Sequence, residues 1–403
     1  MKIFEDKRIV LGVTGSIAAY KSVDLASRLT KAGALVDVVL TEAAAKLVAP
    51  VTFSSVTGRK AYLESDLWRV DDHVLHIELG EKNQVFLIAP ATANTIAKLA
   101  HGIADNLLTV SALASRSDIL VAPAMDGGMF SHPATQENLS ILKERGVTIL
   151  GPAEGHLASG LSGKGRMLEP EDLFGHLRAR LGRDGILVGK KVVVTAGGTQ
   201  EPIDPVRVIS NKSSGKQGYA LAQAAVDQGA AVVLISTPVC ITPPVGSSVV
   251  NVTKADEMAE AVYKESSDSD ILIMAAAVAD YQPDQESDQK IKKDKGGLSE
   301  LKLKTTPDIL AEVAKRKIKN GGPKITIGFA AETEDLLKNA KSKLIKKKLD
   351  LIAANDISRA DSGFSVDNNQ ITLIWKDGQS KEFPLMSKAD LAQEIIEEAA
   401  NLL

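Results

Sequence analysis

The sequence predicts an α/β protein of two domains, each built around a mainly parallel, doubly wound sheet. First, strand-like runs of valine, isoleucine and leucine alternate with alanine-rich, helix-like segments along the chain. Second, the succession of strand, small-residue turn, helix and strand begins twice, near residue 8 and again near residue 190. Third, the 403 residues exceed the roughly 150 that one domain commonly holds.

Composition excludes several classes of protein. The net charge of −3 gives no overall field that would attract nucleic acid or a membrane surface. No apolar run reaches the ~20 residues needed to span a bilayer, and the start of the chain does not resemble a signal peptide. The single cysteine, Cys240, excludes an internal disulfide framework and a cysteine metal cluster. We therefore expect a cytoplasmic protein with no membrane and no nucleic-acid partner.

In the first half, "RIVLGVTGSIAAYK" predicts a strand, a glycine turn and a helix that begins after Gly15 and Ser16. A helix N-terminus favours a phosphate, although a plain strand-to-helix turn fits this pattern about as well. Thr41 follows the next strand, and the segment 92–95 follows a third, in "QVFLIAPATANT". Because the carboxyl ends of parallel strands meet at one edge, these segments predict a ligand site there.

Other polar residues of this half allow two interpretations each. Asp105 and Asn106 follow the predicted helix after "PATANT", where they fit a ligand contact and a helix or turn cap equally well. His76 lies in "HVLHIELG", and a lone histidine is more often structural than catalytic. The segment "APAMDGGMF" follows a fourth strand and is typical of a binding loop.

The segment from Gly155 to Met167, "GHLASGLSGKGRM", is rich in glycine and serine and has no apolar periodicity. It predicts a loop that moves or lies against a ligand, with Ser159 near its centre.

The second half opens with "KKVVVTAGGTQEPIDPVRVISNKSSGKQG". Gly197, Gly198 and Thr199 follow a strand, where their amides predict an anion-binding nest. The segment "SSGKQG" opens a helix and predicts a second phosphate site. A dinucleotide site is the alternative, but no regular G-x-G-x-x-G is present. Charge and glycine interrupt the pattern at residues 181–190, which predicts domains at residues 1–186 and 187–403; one continuous sheet is the other possibility.

Several long motifs, taken in order, resemble known enzymes. "GSIAAYK", "PATANTIAKLAHGIADNLLT", "PAMDGGMF" and "GHLASGLSGKGRMLEP" resemble the flavin-dependent cysteine decarboxylases. The run beginning "VVVTAGGTQEP" resembles the phosphopantothenate–cysteine ligases. The whole chain is similar to the bifunctional coenzyme A biosynthesis family, in which a phosphopantothenoylcysteine decarboxylase, a carboxy-lyase, is fused to such a ligase. The resemblance implies a flavodoxin-like or Rossmann-like flavoprotein domain followed by a Rossmann-like ligase domain.

For the first domain the resemblance implies an FMN cofactor and assigns residues to it. The FMN-binding positions are Gly15, Ser16, Ile17, Thr41, Thr92, Ala93, Asn94, Thr95 and Ala124. His76 is the active-site base or orienter, Asp126 and Met129 contact the substrate, and the segment around Ser159 is a flap that closes over flavin and substrate. FMN oxidises the cysteine thiol, which creates an electron sink that lets CO2 leave, and then returns the hydride to give 4′-phosphopantetheine.

Two positions depart from the commoner pattern of the family. The flap usually carries Cys where this chain has Ser159, and the loop for the substrate carboxylate usually reads Pro-Ala-Met-Asn where this chain has Asp126. A thiol, with a pKa of about 8.5, donates a proton far better than an aliphatic hydroxyl. An ionised Asp126 would repel a carboxylate unless a neighbour such as Lys164 or Arg166 neutralised it. These departures bear on the final reduction step rather than on FMN binding.

For the second domain the resemblance implies an acyl-cytidylate ligase that uses CTP with Mg2+ or Mn2+. Asn211 handles the acyl-cytidylate, and Lys290 stabilises charge as the acid attacks the α-phosphate. The positions matched to CTP binding are Asp280, Lys290, Pro307, Asp308, Ile309, Leu310, Phe329, Lys343 and Lys347. On composition alone, the lysine run around Lys290 is more often a solvated face. Asn355 either lines the site or caps a turn, and the metal ligands cannot be identified.

The resemblance also implies partners and leaves alternatives open. The substrates are 4′-phosphopantothenate, cysteine and CTP, and the chain forms a homo-oligomer through trimeric flavoprotein and dimeric ligase domains. One alternative is an active ligase fused to a flavoprotein domain that decarboxylates a different cysteine-containing substrate. The other is an FMN-binding domain that serves only as a scaffold.

Overall fold

The computed structural model describes residues 2–68, 74–157, 160–292, 300–332, 335–356 and 366–403. The chain divides into two compact units, Met1–Leu181 and Gly182–Leu403. The division falls a few residues before the boundary at 186/187 that the sequence predicts.

The first unit alternates strands and helices. Its strands are β1 (Arg8–Val13), β2 (Leu35–Leu40), β3 (Ala61–Tyr62), β4 (Val85–Ala91), β5 (Asp118–Pro123), β6 (Thr148–Ile149), β7 (Ala153–His156) and β8 (Ser162–Arg166). Its helices are α1 (Ala19–Lys31), α2 (Glu42–Ala45), α3 (Pro50–Thr57), α4 (Leu75–Glu81), α5 (Ala93–His101), α6 (Leu107–Leu113), α7 (Gly127–Ser131), α8 (Pro133–Glu144) and α9 (Pro170–Gly182). Six strands form one parallel sheet in the order β3-β2-β1-β4-β5-β6. The strand order therefore reverses between β1 and β4.

Both faces of this sheet are covered, which explains why its central strands are almost wholly apolar. Ile9 and Leu11 of β1 pack on one face with side chains of α1, α3 and α9. Val10, between them, packs on the other face with side chains of α4, α5, α6 and α8. The alternation gives two cores, one on each side of the sheet.

The second unit repeats this arrangement and extends it. Its strands are β9 (Lys191–Ala196), β10 (Gln200–Asp204), β11 (Arg207–Ser210), β12 (Ala231–Ser236), β13 (Ser247–Asn251), β14 (Ile271–Met274), β15 (Tyr281–Pro283), β16 (Leu303–Thr305), β17 (Ile325–Glu332), β18 (Leu351–Asp356), β19 (Asn368–Asn369), β20 (Ile371–Trp375), β21 (Ser380–Glu382) and β22 (Met386–Ser387). Its helices are α10 (Lys216–Asp227), α11 (Ala255–Glu265), α12 (Ile309–Asn320), α13 (Leu336–Lys346) and α14 (Lys388–Ala400). The main sheet has the order β13-β12-β9-β14-β17-β18-β20-β21.

The prediction of two doubly wound α/β domains is confirmed, and each unit has a sheet of its own. The first six strands of the second sheet are parallel and reverse their order between β9 and β14. The sequence did not predict that β20 and β21 would add an antiparallel edge. Within the described ranges, no helix is long and apolar enough to cross a membrane.

The buried carboxylate of Asp37 connects β2 to β1 and to the segment after α3. Asp37, in β2, is 1% exposed and accepts hydrogen bonds from two arginines. Its Oδ2 lies 2.6 Å from Arg8 Nε, and its Oδ1 lies 2.7 Å from an Arg59 terminal nitrogen. Arg8 also reaches Glu78 of α4 at 3.4 Å. One carboxylate thus joins the start of β1 to the segment after α3.

We predict that Asp37→Ala lowers the free energy of unfolding of the first unit by about 3 kcal/mol, because both arginines lose a buried partner. Urea denaturation of the full chain is followed by hydrogen exchange with mass spectrometry, which reports the unfolding of each unit separately. Asp24→Ala is the control, since Asp24 pairs with Arg28 on the exposed surface of α1 and its loss should cost less than about 1 kcal/mol. Equal losses in the two variants would contradict the role given to Asp37.

Candidate functional sites

The positions that the resemblance assigned to FMN gather at the carboxyl edge of the first sheet. Segment 15–17 follows β1, Thr41 follows β2, segment 92–95 leads from β4 into α5, and Ala124 follows β5. The four strands are neighbours in the sheet, in the order β2-β1-β4-β5. The pair β1 and β4 is the point where the strand order reverses, which is where ligands of such sheets bind.

Thr14 holds the two central loops of this edge together, and the sequence analysis did not single it out. Its hydroxyl donates to the carbonyl of Pro90 at 2.7 Å and accepts from the backbone N–H of Thr92 at 3.0 Å. Thr92 in turn accepts from the N–H of Thr95 and caps α5, and Thr41 caps α2. The only sequence signal for Thr14 is a hydroxyl residue between an apolar strand and a glycine.

The residues at this edge fit a flavin phosphate and ring. The N-cap of α1 is Ala18, whose side chain cannot accept a hydrogen bond, so a bound anion would complement the positive end of the helix. Small side chains dominate the strand ends and let a flat ring approach the backbone.

Asn106 is a helix cap, and Asp105 forms an ion pair. Asn106 accepts from the N–H of Thr109 at 3.0 Å and caps α6. Asp105 pairs with Lys98 at 2.8 Å and accepts from the amide of Asn106. Capping therefore accounts for Asn106, whereas Asp105 connects the segment before α6 to Lys98 of α5.

His76 lies on α4, which leads back to the amino end of β4. Its Nδ1 atom is buried and has no hydrogen-bond partner among the described residues. A buried polar atom without a partner is rare, because it loses its contact with water and gains nothing in return. Nδ1 of His76 is therefore available for a hydrogen bond with a ligand.

The segment from Gly155 to Met167 differs from the predicted loop, because most of it forms an antiparallel β-hairpin of β7 and β8. Sequence patterns missed the hairpin because glycine and serine show no alternation of apolar and polar residues. Ser159 lies outside the described residues. The hairpin packs on the loop after β5, where the N–H of Met125 donates to the carbonyl of Gly165 at 3.0 Å. Gly165 has a φ of 148°, and a side chain there would overlap the carbonyl oxygen of Met125.

This contact brings the hairpin next to two predicted substrate positions. Asp126 follows Met125 and caps the short helix α7 by accepting from the N–H of Gly128 at 2.9 Å. Met129 lies on α7 and is exposed. Lys164 and Arg166, which the sequence analysis considered as neutralising partners of Asp126, pair with Glu154 and Glu169 in this structure.

The base of the hairpin is anchored to α1 by an ion-pair cluster. Lys21, in the first turn of α1, is buried, and its Nζ lies 2.8 Å from Glu169 Oε1 and 3.4 Å from the carbonyl of Met167. Arg166, at the end of β8, reaches the same Glu169 oxygen at 2.6 Å. The hydrogen bond from Lys21 lowers the pKa of Glu169 against the opposing effect of burial, and Arg166 adds to the shift. The carboxylate of Glu169 therefore joins α1, which follows segment 15–17, to the β7–β8 hairpin.

We predict that Glu169→Gln increases hydrogen exchange of the amides of β7 and β8, since neither cation keeps its charged partner. Glu171→Gln, two residues along the chain and exposed in the first turn of α9, should leave that exchange unchanged. In the wild type these contacts are complete above the ordinary pKa of a glutamate, about 4.3, and are lost as the pH falls through the lowered folded value. Unchanged protection of the hairpin in Glu169→Gln would show that the cluster does not hold it.

In the second unit, a cleft of about 740 Å³ opens at the carboxyl edge of the sheet. It collects the predicted positions from segments that are far apart in sequence. Those that line it are Asn211, Asp280, Pro307, Asp308, Ile309, Leu310, Phe329, Lys343, Lys347 and Asn355. Asn211 follows β11, Asp280 follows β14, and residues 307–310 follow β16 and begin α12. Phe329 lies in β17 and Asn355 in β18, whereas Lys343 and Lys347 lie at the end of α13.

Asn211 lies in the wall of the cleft beside the loop after β14. Its amide nitrogen donates to the carbonyls of Ala277 and Val278, at 3.2 and 3.1 Å. These bonds fix the orientation of the amide, so its oxygen is the atom left to accept from a ligand. The same loop carries Asp280, whose carbonyl accepts from Thr306.

One end of the cleft is built from α12 and α13. Asp308 caps α12 by accepting from the N–H of Ala311 at 3.1 Å and also forms an ion pair with Lys347. Burial alone would raise the pKa of Asp308, but the hydrogen bonds from Lys347 and Ala311 outweigh it and lower that pKa. Lys343 donates to the carbonyl of Phe329 at 2.9 Å. Two lysines and a helix N-terminus at one end suit a polyphosphate.

At the predicted anion nest, Gly197, Gly198 and Thr199 make contacts between two loops. The N–H of Thr199 donates to Ala277, its hydroxyl accepts from the N–H of Ala279, and Gly198 forms a bridge to Ala277. A side chain at Gly197, which has a φ of 87°, would overlap Thr237. These residues join the loops after β9 and β14 and are not among the residues that line the cleft, so close packing accounts for the glycines, while the anion nest stays a prediction.

Lys290 is exposed and does not line the cleft of its own chain. The residue after it, Ile291, is held on both sides of its backbone: its N–H donates to Asp204 at 3.2 Å, and its carbonyl accepts from Arg207 at 3.2 Å. The cleft instead contains Lys216 and Lys388, which the sequence analysis did not single out. Lys216 belongs to "SSGKQG", so that motif could have indicated it, whereas nothing in the sequence around Lys388 distinguishes it from a surface lysine.

A dedicated metal site is not evident in the described part of the chain, which has no group of three or more histidine, cysteine or acidic side chains placed to hold a metal ion. The acidic side chains of the cleft are those of Asp280 and Asp308. This donor set fits Mg2+ held mainly by nucleotide phosphates and water with one or two carboxylates, which is how proteins usually bind it.

Comparison with protein families matches both units. Residues 3–182 match the family described as flavoprotein, and residues 187–403 match the DNA/pantothenate metabolism flavoprotein C-terminal domain.

Similar proteins and structures cover the whole chain or single domains. The coenzyme A biosynthesis bifunctional protein CoaBC of Bacillus subtilis is 43% identical over 403 residues, which span 99% of this chain and 98% of that protein. A cysteine/cysteine sulfinic acid decarboxylase of an unknown prokaryotic organism is 46% identical over 81% of this chain and 92% of that protein. The crystal structure of the C-terminal domain of a CoaBC protein covers 54% of this chain and 97% of that one, with 37% identity and a TM-score of 0.46.

Proposed function

We propose that this chain, which belongs to the family of bifunctional coenzyme A biosynthesis proteins, joins cysteine to 4′-phosphopantothenate in its second domain and decarboxylates the product in its first. The observation that carries the ligase half is the lining of one cleft by substrate-binding positions that the resemblance assigned and that come from four separate segments. The decarboxylase half is supported by the gathering of the FMN positions at four neighbouring strand ends.

In the ligase, the two lysines of α13 neutralise the triphosphate of CTP, assisted by Mg2+. The substrate carboxylate attacks the α-phosphate, pyrophosphate leaves, and the amine of cysteine then displaces CMP from the acyl-cytidylate. Asn211 contacts the acyl-cytidylate through its amide oxygen, because its amide nitrogen already donates to the carbonyls of Ala277 and Val278. Lys290 lies outside the cleft of its own chain. To act on the developing charge, it needs a movement of the segment around it or access to the cleft of another copy.

In the decarboxylase, FMN when bound supplies the two-electron oxidation of the thiol and its reversal. The protein positions the substrate and excludes water. The β7–β8 hairpin covers the loop that carries Asp126, and the unpartnered Nδ1 of His76 provides a hydrogen-bonding group for the ligand. Ser159, which lies between β7 and β8 in the sequence, relays a proton rather than donating it as strongly as a thiol would.

We also propose that the chain works as a cytoplasmic homo-oligomer, with trimeric flavoprotein and dimeric ligase domains. Large apolar side chains are exposed near the carboxyl edge of the first sheet, among them Ile17, Tyr20 and Trp68. In the second unit, Val206 and Tyr281 are exposed on two small hairpins. Exposed apolar groups of this kind favour contact between copies.

A second candidate concerns the substrate of the first domain. The similarity to a cysteine/cysteine sulfinic acid decarboxylase extends over 81% of this chain. Together with Asp126 and Ser159, which depart from the commoner pattern, it favours considering another cysteine-containing substrate for that domain.

The proposal is tested with the purified full-length protein, 4′-phosphopantothenate, cysteine, CTP and Mg2+, with mass spectrometry of the products under anaerobic conditions. We expect 4′-phosphopantetheine, CMP and pyrophosphate, with the flavin returned to its oxidised form. Accumulation of phosphopantothenoylcysteine would support the ligase function and contradict the decarboxylase function. The first domain would then be a scaffold or act on another substrate. A product two hydrogens lighter than 4′-phosphopantetheine would show that Ser159 does not replace the thiol.

We predict that His76→Asn lowers decarboxylation at least 100-fold and leaves ligation unchanged, because all six histidines of the chain lie in the first domain. His132→Asn is the matched control, since His132 caps α8 and should leave both activities near the wild-type values. The two half-reactions are measured separately, from added phosphopantothenoylcysteine and from release of CMP. Loss of both activities in a folded variant would argue against independent sites.

A further inference from the structure

The segment that carries Lys290 is attached to neighbouring elements on both sides of the lysine. Before it, the side chain of Glu286 pairs at 2.7 Å with Lys254, the N-cap residue of α11. The N–H of Ser287 donates to the carbonyl of Ile203 in β10 at 3.1 Å. After the lysine, the next residue is bound to the turn of the β10–β11 hairpin. The backbone around Lys290 therefore lies along this hairpin.

Asp204, the last residue of β10, holds both the hairpin turn and the segment with Lys290. It is 1% exposed. Its Oδ1 accepts from the N–H groups of Val206 and Arg207, at 2.9 and 3.0 Å. Its Oδ2 accepts from the N–H of Ile291 at 3.2 Å. One carboxylate oxygen thus fixes the turn, and the other fixes the residue that follows Lys290.

Arg207 holds the other side of the same residue. Its Nη2 donates to the carbonyl of Ile291 at 3.2 Å, and its Nη1 lies 3.6 Å from Oδ2 of Asp204. Burial alone would raise the pKa of Asp204, but the N–H groups of Val206 and Ile291 and the charge of Arg207 lower it. The carboxylate is therefore ionised at neutral pH, and Ile291 is bound through both its N–H and its carbonyl.

We propose that Asp204 is a positioning residue for Lys290, because it ties the backbone beside the lysine to the β10–β11 hairpin. The inference rests on the proposed ligase function and on the role given there to Lys290. The lysine is exposed, and its ammonium is carried on a flexible four-carbon stem, so the side chain alone cannot define where the charge lies. Catalysis depends steeply on such placement, since an error of ~1 Å can cost about 100-fold in rate. With Ile291 clamped, the base of the lysine is fixed and any movement of it carries the hairpin along.

Asp204→Asn in the full-length protein separates the two functions of this side chain. The amide keeps an oxygen that accepts from the N–H groups of the turn, whereas its NH2 group cannot accept from the N–H of Ile291. We expect acyl-cytidylate formation, measured as pyrophosphate release from 4′-phosphopantothenate and CTP without cysteine, to fall about 10- to 100-fold. Release of CMP, measured when cysteine is added to accumulated acyl-cytidylate, should change less than about twofold, because that step does not use the charge of Lys290. Asp288→Asn is the matched control: it removes the same charge from an exposed side chain two residues before Lys290 and should behave as wild type.

A double-mutant cycle shows whether Asp204 acts through Lys290. Lys290→Gln should itself lower acyl-cytidylate formation. Adding Asp204→Asn to it should change the remaining rate less than about twofold, because the group that Asp204 positions has already lost its charge. If the two effects multiply, or if both half-reactions fall together in Asp204→Asn, the side chain supports the fold and does not position Lys290. A wild-type rate of acyl-cytidylate formation in Asp204→Asn would also overturn the inference.

The same measurements separate the inference from the function it rests on. If the wild type releases no pyrophosphate, the proposed ligase function fails and the inference fails with it. If the wild type ligates and Lys290→Gln ligates equally well, the ligase function stands and the positioning of Lys290 is irrelevant to it. If Asp204→Asn does not fold, Arg207→Met decides, because the Arg207 side chain is 41% exposed and its loss removes the hydrogen bond to the carbonyl of Ile291. Arg207→Met should then slow acyl-cytidylate formation in the wild type but not in Lys290→Gln, and an equal effect in both would overturn the inference.

Discussion

The reversal of strand order between β1 and β4, and again between β9 and β14, is the constraint on which both sites depend. Parallel strands on either side of this point send their helices to opposite faces of the sheet, so the loops at the carboxyl edge separate and leave a crevice. Segments distant in sequence then reach one place. Segments 15–17 and 92–95 lie beside each other for this reason, as do Asn211 and Asp280.

The crevice has to be open to a ligand and yet firmly built, and both domains meet this requirement in the same way. In the first, Thr14 connects the loop after β1 to the loop after β4 through Pro90 and Thr92. In the second, residues 197–199 connect the loop after β9 to the loop after β14 through Ala277 and Ala279. Backbone and hydroxyl groups make these links, so the links do not use the charged side chains at the edge.

Sequence patterns predicted the repeated strands and helices because burial on both faces requires long apolar runs, which are visible without a structure. They missed the β7–β8 hairpin, whose glycines and serines pack on a neighbouring loop rather than on the core. They did not reveal the packing role of Gly197, because that role depends on Thr237 and on a loop about 80 residues away. Lys388 was missed because a lysine at the start of an amphipathic helix is ordinarily solvated, and only the packing of α10 on α14 buries it.

The short strands at the borders of the sheets bear on how copies of this chain associate. The first sheet ends in β3 and β6, of two residues each, and the second ends on one side in β21, whose three residues are polar and exposed. Its other border, β13, carries two serines and an asparagine. Short or polar borders of this kind disfavour the addition of a strand from another copy. Any contact between copies would then depend on side chains, without the strand-by-strand growth that leads to fibres.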